Sequence, residues 1–241
     1  MKRLVGIVGM VLCVAAARGA DMDELIKQLR SGDNDARRAA ARALGEGGAE
    51  AKTAVPALIT ALKDRDTFVR RFSAQALGAI GPDAQSAVRP LTAALNDPKN
   101  EVRGAAVSAL GKLGPSGVET LIDVAGDNRK DGTVRRQAVH VLGDLGSAAH
   151  AAVPALTELL KEKPVKEKEK GKGKGKKKEK KTQMVPEDLR VAAATALGSL
   201  ATSDDTDTIE TLSALTAKEA KTPRDLRQAA DTALRKVRKS K

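Results

Sequence analysis

Asp64-Arg65-Asp66-Thr67-Phe68-Val69-Arg70-Arg71-Phe72-Ser73-Ala74-Gln75-Ala76-Leu77-Gly78 is the stretch that decides the fold. It begins with acids and turn residues, sets Val-Arg one turn into a helix, and closes on Ala-Leu-Gly. Related segments end at Gly45, Gly111, Gly143 and Gly198, so that successive glycines lie 33, 33, 32 and 55 residues apart. Arg37, Arg70, Arg103, Arg135 and Arg190 each stand eight residues before their glycine. A fixed period in the thirties, with room for two helices per unit, predicts a solenoid of stacked repeats and not a globule around one core.

Extended in both directions, the pattern predicts an all-α chain of about six helix pairs. Residues 21–160 hold repeats one to four and the first helix of repeat five, which repeats the Val55-Pro56-Ala57-Leu58 signature as Val153-Pro154-Ala155-Leu156. Residues 185–241 hold the rest of repeat five, a sixth pair and a basic tail. Leu62 precedes Arg70 by 8 residues, whereas the equivalent Leu160 precedes Arg190 by 30, which sizes an insertion of 22 residues. That insertion, within residues 161–184, is Lys-rich and lacks an apolar face, so the expectation for it is a disordered basic loop.

The repeats resemble the HEAT repeat family, in particular the short bacterial form named after phycobilisome lyases. The likeness is carried by Val55-Pro56-Ala57-Leu58, Val69-Arg70, Ala76-Leu77-Gly78 and their equivalents. It implies an α-solenoid that serves in scaffolds and adaptors, and in a few enzymes. It also implies a ladder of acids and arginines six residues apart. Asp64 with Arg70 and Asp97 with Arg103 have that spacing, while repeats four and five lack the acid.

The first twenty residues carry a different signal. Met1-Lys2-Arg3 is followed by an apolar run from Leu4 to Ala17 and small residues to Ala20, the pattern of a secretory signal peptide cleaved after Ala17 or Gly19. A buried first helix is the alternative. The expectation is therefore an exported, periplasmic or extracellular protein with no transmembrane segment once the signal is removed. Cys13, the one cysteine, falls inside this segment, so thiol chemistry and disulfides are not expected of the mature chain. The formal charge of +12 is unevenly spread. Residues 1–20 carry +3, residues 161–184 carry +8 and residues 235–241 carry +5, which leaves the helical body at −4. A body of that sign is a poor wrapper for nucleic acid, and no sequence-specific nucleic-acid recognition is expected.

Aligning the second helices on their glycines separates core columns from free ones. Leu44, Leu77, Leu110, Leu142 and Leu197 stand one before the glycine. Ala43, Ala76, Ala109, Val141 and Ala196 stand two before, and Ala36, Val69, Val102, Val134 and Leu189 nine before. All three columns are predicted core. Arg38, Arg71, Gly104, Arg136 and Val191 stand seven before, and Arg42, Gln75, Ser108, His140 and Thr195 three before. Four residues apart, these two columns make one ridge per helix. The family resemblance puts that ridge in the groove of the solenoid; plain solvated surface is the alternative. The chain has two Phe, no Trp and no Tyr, and both Phe fall beside the ridge. Phe68 occupies a column of Asp35, Glu101, Thr133 and Asp188, and Phe72 one of Ala39, Ala105, Gln137 and Ala192. Large apolar groups there suggest an exposed anchor; the alternative is that they fill space between helices. The candidate partner-binding set is thus Phe68, Arg71, Phe72, Gln75, Arg38, Arg42, Arg136 and His140.

Catalytic sets are not evident. His140 and His150, the two histidines, are not followed by Glu, so the His-Glu pairs with which HEAT-like hydroxylases bind iron do not carry over. No cofactor or metal is expected, and acids at helix starts are explained by capping. The expected function is a non-catalytic adaptor binding a protein partner. The alternative is attachment to an anionic polymer or surface through Lys172, Lys174, Lys176, Lys177 and Lys178 and the basic tail, which would weaken steeply with salt.

Overall fold

The computed structural model describes residues 21–161, 186–217 and 222–239. All regular structure among them is helical. Residues 21–28 form α1; then come α2 (Asn34–Glu46), α3 (Val55–Ala61), α4 (Thr67–Ile80), α5 (Val88–Ala94), α6 (Asn100–Lys112) and α7 (Pro115–Gly126). The chain continues through α8 (Gly132–Asp144), α9 (Val153–Lys161), α10 (Glu187–Leu200), α11 (Thr206–Thr216) and α12 (Arg224–Val237). Short 3-10 segments, Gly48–Ala54, Gly81–Ala87 and Gly146–Ala152, lead into α3, α5 and α9. The fold is an all-α solenoid type, helix pair following helix pair. No helix of the described residues is long and apolar enough to cross a membrane. The Lys-rich set from Lys172 to Lys178 and the first twenty residues lie outside the described residues.

Two compact units divide the chain, one up to Gly117 and one from Val118. In the first, α2, α4 and α6 lie side by side, with α3 against α4 and α5 against α6. In the second, α8, α10 and α12 lie side by side, with α9 against α10 and α11 against both α9 and α12. The leucine column is the reason: Leu44, Leu77, Leu110, Leu142 and Leu197 are fully buried, each stabilising by about 2 kcal/mol through area removed from water. Ala36, Ala43 and Val141 correct the core expectation, being half-buried. They sit on α2 and α8, the first of the side-by-side helices in each unit.

The recurring glycine does not end its helix. α4 runs on past Gly78 to Ile80 and α10 past Gly198 to Leu200. At Gly78 and Gly198 what the glycine provides is close approach: a Cβ on Gly78 would stand 2.8 Å from Ala109 Cα, and one on Gly198 2.9 Å from Ala233 Cα. The break comes three residues later. Gly81 caps α4 at φ 76°, a left-handed conformation that costs a residue with a side chain roughly 1–2 kcal/mol. Gly48, Gly114 and Gly146 hold the same place with positive φ.

Helix starts follow capping chemistry. The carboxylates of Asp33, Asp66 and Asp131 accept N–H bonds from the first turns of α2, α4 and α8. The arginine one turn in does two jobs. Arg37 Nη1 donates to the Ser31 carbonyl at 3.0 Å, while Nε and Nη2 grip Asp64 of the next repeat at 2.8 and 3.0 Å. Arg70 does the same with the Asp64 carbonyl at 2.9 Å and with Asp97 at 2.7 and 3.1 Å. The six-residue spacing therefore marks an arginine-to-carbonyl bond, and the carboxylate serves the repeat before. Burial works to raise the Asp64 carboxyl, and the bonds from Arg37 and the Asp66 N–H outweigh it. In the second unit Arg135 and Arg190 donate to main-chain carbonyls, Ala125 at 2.9 Å and Leu160 at 2.7 Å. Burial lowers the Arg190 guanidinium below its ordinary value.

Candidate functional site

The turn Asp64-Arg65-Asp66 sets the site. Asp64 accepts the Asp66 N–H at 2.8 Å, which fixes the entry to α4. Asp66 then accepts from Phe68 N at 2.9 Å and Val69 N at 3.1 Å, and from Arg38 of α2 through Nε at 3.0 Å and Nη2 at 2.5 Å. Arg38's hydrogen bonds hold the Asp66 carboxyl far below the usual carboxylate range. Asp35 is a second partner of Arg38, at 2.9 Å. So anchored, the Arg38 guanidinium lies 5.0 Å from the centre of the Phe68 ring.

Phe68 and Phe72, one turn apart, place their ring centroids 6.3 Å apart at 33°. Arg71 sits between them, 5.2 Å from the Phe68 centre and 4.8 Å from that of Phe72, distances at which a cation is attracted to the ring faces. Phe68 is 47% exposed and, among the described residues, the one large hydrophobic side chain in the open. Phe72 is half-buried. Of the two rings, Phe68 is thus the exposed one and Phe72 the one partly covered. Among the described residues Arg71 has no ion-pair partner, and its Nε is buried without a hydrogen-bond partner.

The two ridge columns behave uniformly. Residues three before the glycine, Arg42, Gln75, Ser108, His140 and Thr195, are all exposed; residues seven before, Arg38, Arg71, Gly104, Arg136 and Val191, are all half-buried. Arg42 pairs with Glu46 of its own helix at 3.1 Å. In the second unit Arg136 of α8 pairs with Asp188 of α10. The same two columns meet as Arg38 of α2 over Phe68 of α4, with an aromatic ring in place of the acid. His140, Val191 and Thr195 line an open recess of about 400 Å³ with Glu187, Asp188 and Asp225. A neighbouring recess of about 340 Å³ runs from Thr195 to Gln228 and Thr232 of α12. The cluster Phe68, Arg71, Phe72 and Arg38 is therefore one assembly in the first unit, while Arg136 and His140 belong to a different, acid-lined surface in the second.

Sequence reasoning missed Asp66 as the organiser of the cluster and Glu187 and Asp225 as recess walls. The offset of 27 residues that recurs as Arg37/Asp64 and Arg70/Asp97 points to Asp64 and not to Asp66, which lies 28 residues from Arg38. No three or more His, Cys, Asp or Glu among the described residues are grouped so as to hold a metal ion.

Solved structures similar to this chain include designed armadillo repeat proteins. An importin beta structure gives a TM-score of 0.54 at 19% identity over 90% of this chain and 30% of its own. A designed armadillo repeat protein, described in complex with the peptide (KR)4, gives 0.50 at 17% identity over 89% of this chain and 98% of its own. The complex of CpcE and CpcF of phycocyanin lyase from Nostoc sp. gives 0.41 at 27% identity over 60% and 91%. No curated protein matches the chain. The family model for HEAT repeats matches residues 22–111 and 88–169, the span that carries the glycine, leucine and arginine columns of the first four repeats. With its periodicity, its stacked pairs and that match in agreement, the chain belongs to the HEAT repeat family.

Proposed function

We propose that the protein is an exported, non-catalytic adaptor that docks a protein segment on the face of α2 and α4 around Phe68. The observation that carries this reading is the exposure of Phe68, 47%, at a column where other repeats hold Asp35, Glu101, Thr133 or Asp188. An exposed ring stiffened by two guanidinium groups has the makeup of a binding hot spot, because little side-chain freedom is left to lose on contact. The peptide complex of the designed armadillo protein supports a peptide as a class of partner for a surface of this kind. Export rests on the basic, apolar and small-residue order of residues 1–20.

Affinity capture from the native extracytoplasmic fraction, with wild type and Phe68→Ala as bait, tests the reading. The partner recovered by wild type is depleted at least about tenfold by the variant, as truncating a hot spot does. Equal recovery by the two baits refutes the docking face. Mass spectrometry of the mature chain tests export, with an N-terminus after Ala17 or Gly19 expected.

A further inference from the structure

We propose that Arg71 is the receptor for a side-chain carboxylate, so that the partner segment presents one Asp or Glu beside an apolar residue that covers Phe68. The proposal rests on the docking-face reading. Its observation is a mismatch between Arg71 and every other arginine of the ridge. Arg38 holds Asp66 and Asp35, Arg42 holds Glu46, and Arg136 holds Asp188. Among the described residues Arg71 holds no acid, although Glu101 stands on the next helix in the column that supplies Asp188 to Arg136. Instead its guanidinium carbon lies 5.2 Å from the Phe68 ring centre and 4.8 Å from that of Phe72. Its Nε is buried and has no acceptor.

A buried donor without an acceptor is unfavourable, and a guanidinium in the low-dielectric shelter of two rings attracts an anion more strongly than one in water. A guanidinium takes a carboxylate through the N–H groups on its edge, which ring contacts do not use. Glutamate or aspartate within an extended segment fits better than a chain terminus. The ridge continues on both sides of Arg71, through Arg38 and Arg42 of α2 and through Gly104 and Ser108 of α6. A segment that crosses it runs on in both directions. This charge preference is opposite to that of a protein that holds a Lys-Arg peptide.

The test uses end-blocked peptides of about five residues, short enough to bind in the millimolar range. One carries Glu between two Leu, one has Gln in its place, and one has Gln with a free C-terminal carboxylate. Binding to the full chain is followed by the NMR signal of the Arg71 Nε–H, assigned by its loss in Arg71→Gln. The Glu peptide is expected to shift that signal and to saturate with a Kd below about 1 mM, with the Gln peptide and the Arg71→Gln variant each at least about tenfold weaker. Glu101→Gln, which removes a competing acid, is expected to leave or improve the affinity. Equal binding of Glu and Gln peptides, unaltered affinity in Arg71→Gln, or no saturation at about 1 mM overturns the proposal. Tighter binding of the free-carboxylate peptide overturns it in favour of a chain terminus. If Phe68→Ala weakens both blocked peptides equally and Arg71→Gln weakens neither, the docking face stands and the carboxylate receptor falls.

Discussion

Replacing Gly78 by Ala separates the two roles a recurring helical glycine can have. If Gly78 only marked the end of a repeat, alanine would stabilise α4 by about 0.8–1 kcal/mol, the ordinary difference in helix propensity. The structure gives the opposite sign. The new methyl carbon would stand 2.8 Å from Ala109 Cα and 3.1 Å from its Cβ, where ordinary contact begins at 3.4 Å. Backbone cannot swing aside as a side chain can, so α4 and α6 must part by several tenths of an ångström. Overpacking of that kind costs about 1–3 kcal/mol. Gly45 is the control: its added Cβ would meet Ala76 Cα at 3.4 Å, an ordinary contact. Because both glycines lie in the last turn of their helix, the propensity gain is common to both. The variants should differ by the packing cost, about 1–3 kcal/mol, with Gly78→Ala the less stable. Urea unfolding followed by far-ultraviolet circular dichroism reads this as a midpoint difference of roughly 1 M. Adding Ala109→Gly to Gly78→Ala should recover part of the loss only, since the tightest approach is to Cα and not to Cβ. Equal midpoints for Gly78→Ala and Gly45→Ala refute the close-approach account.

Asp66→Ala removes a helix cap and leaves Arg38 with one acid in place of two; a loss of about 1–3 kcal/mol is expected in the same urea assay, and less for Asp66→Asn, which keeps an acceptor. The sign of the pH effect follows from the depressed folded value of the Asp66 carboxyl. Its contribution is full above the unfolded carboxylate value of about 3.9 and is lost as pH falls through the folded one, so wild-type stability should drop below about pH 4 and Asp66→Asn should flatten that drop. Phe72→Ala, at a half-buried ring, should cost about 1–3 kcal/mol, and Phe68→Ala, at the exposed one, under about 1 kcal/mol, since truncation costs scale with the packing lost; a larger cost for Phe68 would contradict its exposure.

The repeat plan was legible because periodic packing imposes periodic sequence. Leucine one before the glycine is buried in all five repeats where it was aligned, and such a column survives irregular loops. Columns at a stack's first helix were less legible: Ala36 and Ala43 read as core by alignment but are half-buried, because burial there needs a neighbour and not a residue type. The glycine itself was visible while its purpose was not, since a helix stop and a close helix approach demand the same residue. Its companion three residues on, at Gly48, Gly81, Gly114 and Gly146, repeats just as regularly and carries the positive φ of the true break. At the candidate site, alignment placed Phe68, Arg71 and Phe72 together because they share one helix. It could not join Arg38 to them, since that contact crosses between helices. Nor could it tell which of two stacked rings faces outward, which depends on how α2 packs on α4.

The acid pair Asp64 and Asp66 ties the scaffold to the proposed docking face. Asp64 is held from one side by Arg37 at 2.8 Å and from the other by the Asp66 N–H at 2.8 Å. That arrangement aims Asp66 at both the α4 N-terminus and Arg38. Arg38 in turn lies over Phe68. Four interactions thus run in series from an inter-repeat clamp to an exposed ring, and each donor or acceptor has its geometry set by the one before. A surface side chain held in this way loses less entropy when a partner covers it than a free one does, where immobilising a side chain costs about 0.5–1.5 kcal/mol. In the second unit Arg135 and Arg190 donate to main-chain carbonyls, and the corresponding contact between its helices joins Arg136 to Asp188 in place of a ring. In the first unit the Arg37–Asp64 clamp and the exposed ring are joined by this series of contacts, the arrangement expected if the clamp preorganises the ring for binding as well as serving the stack.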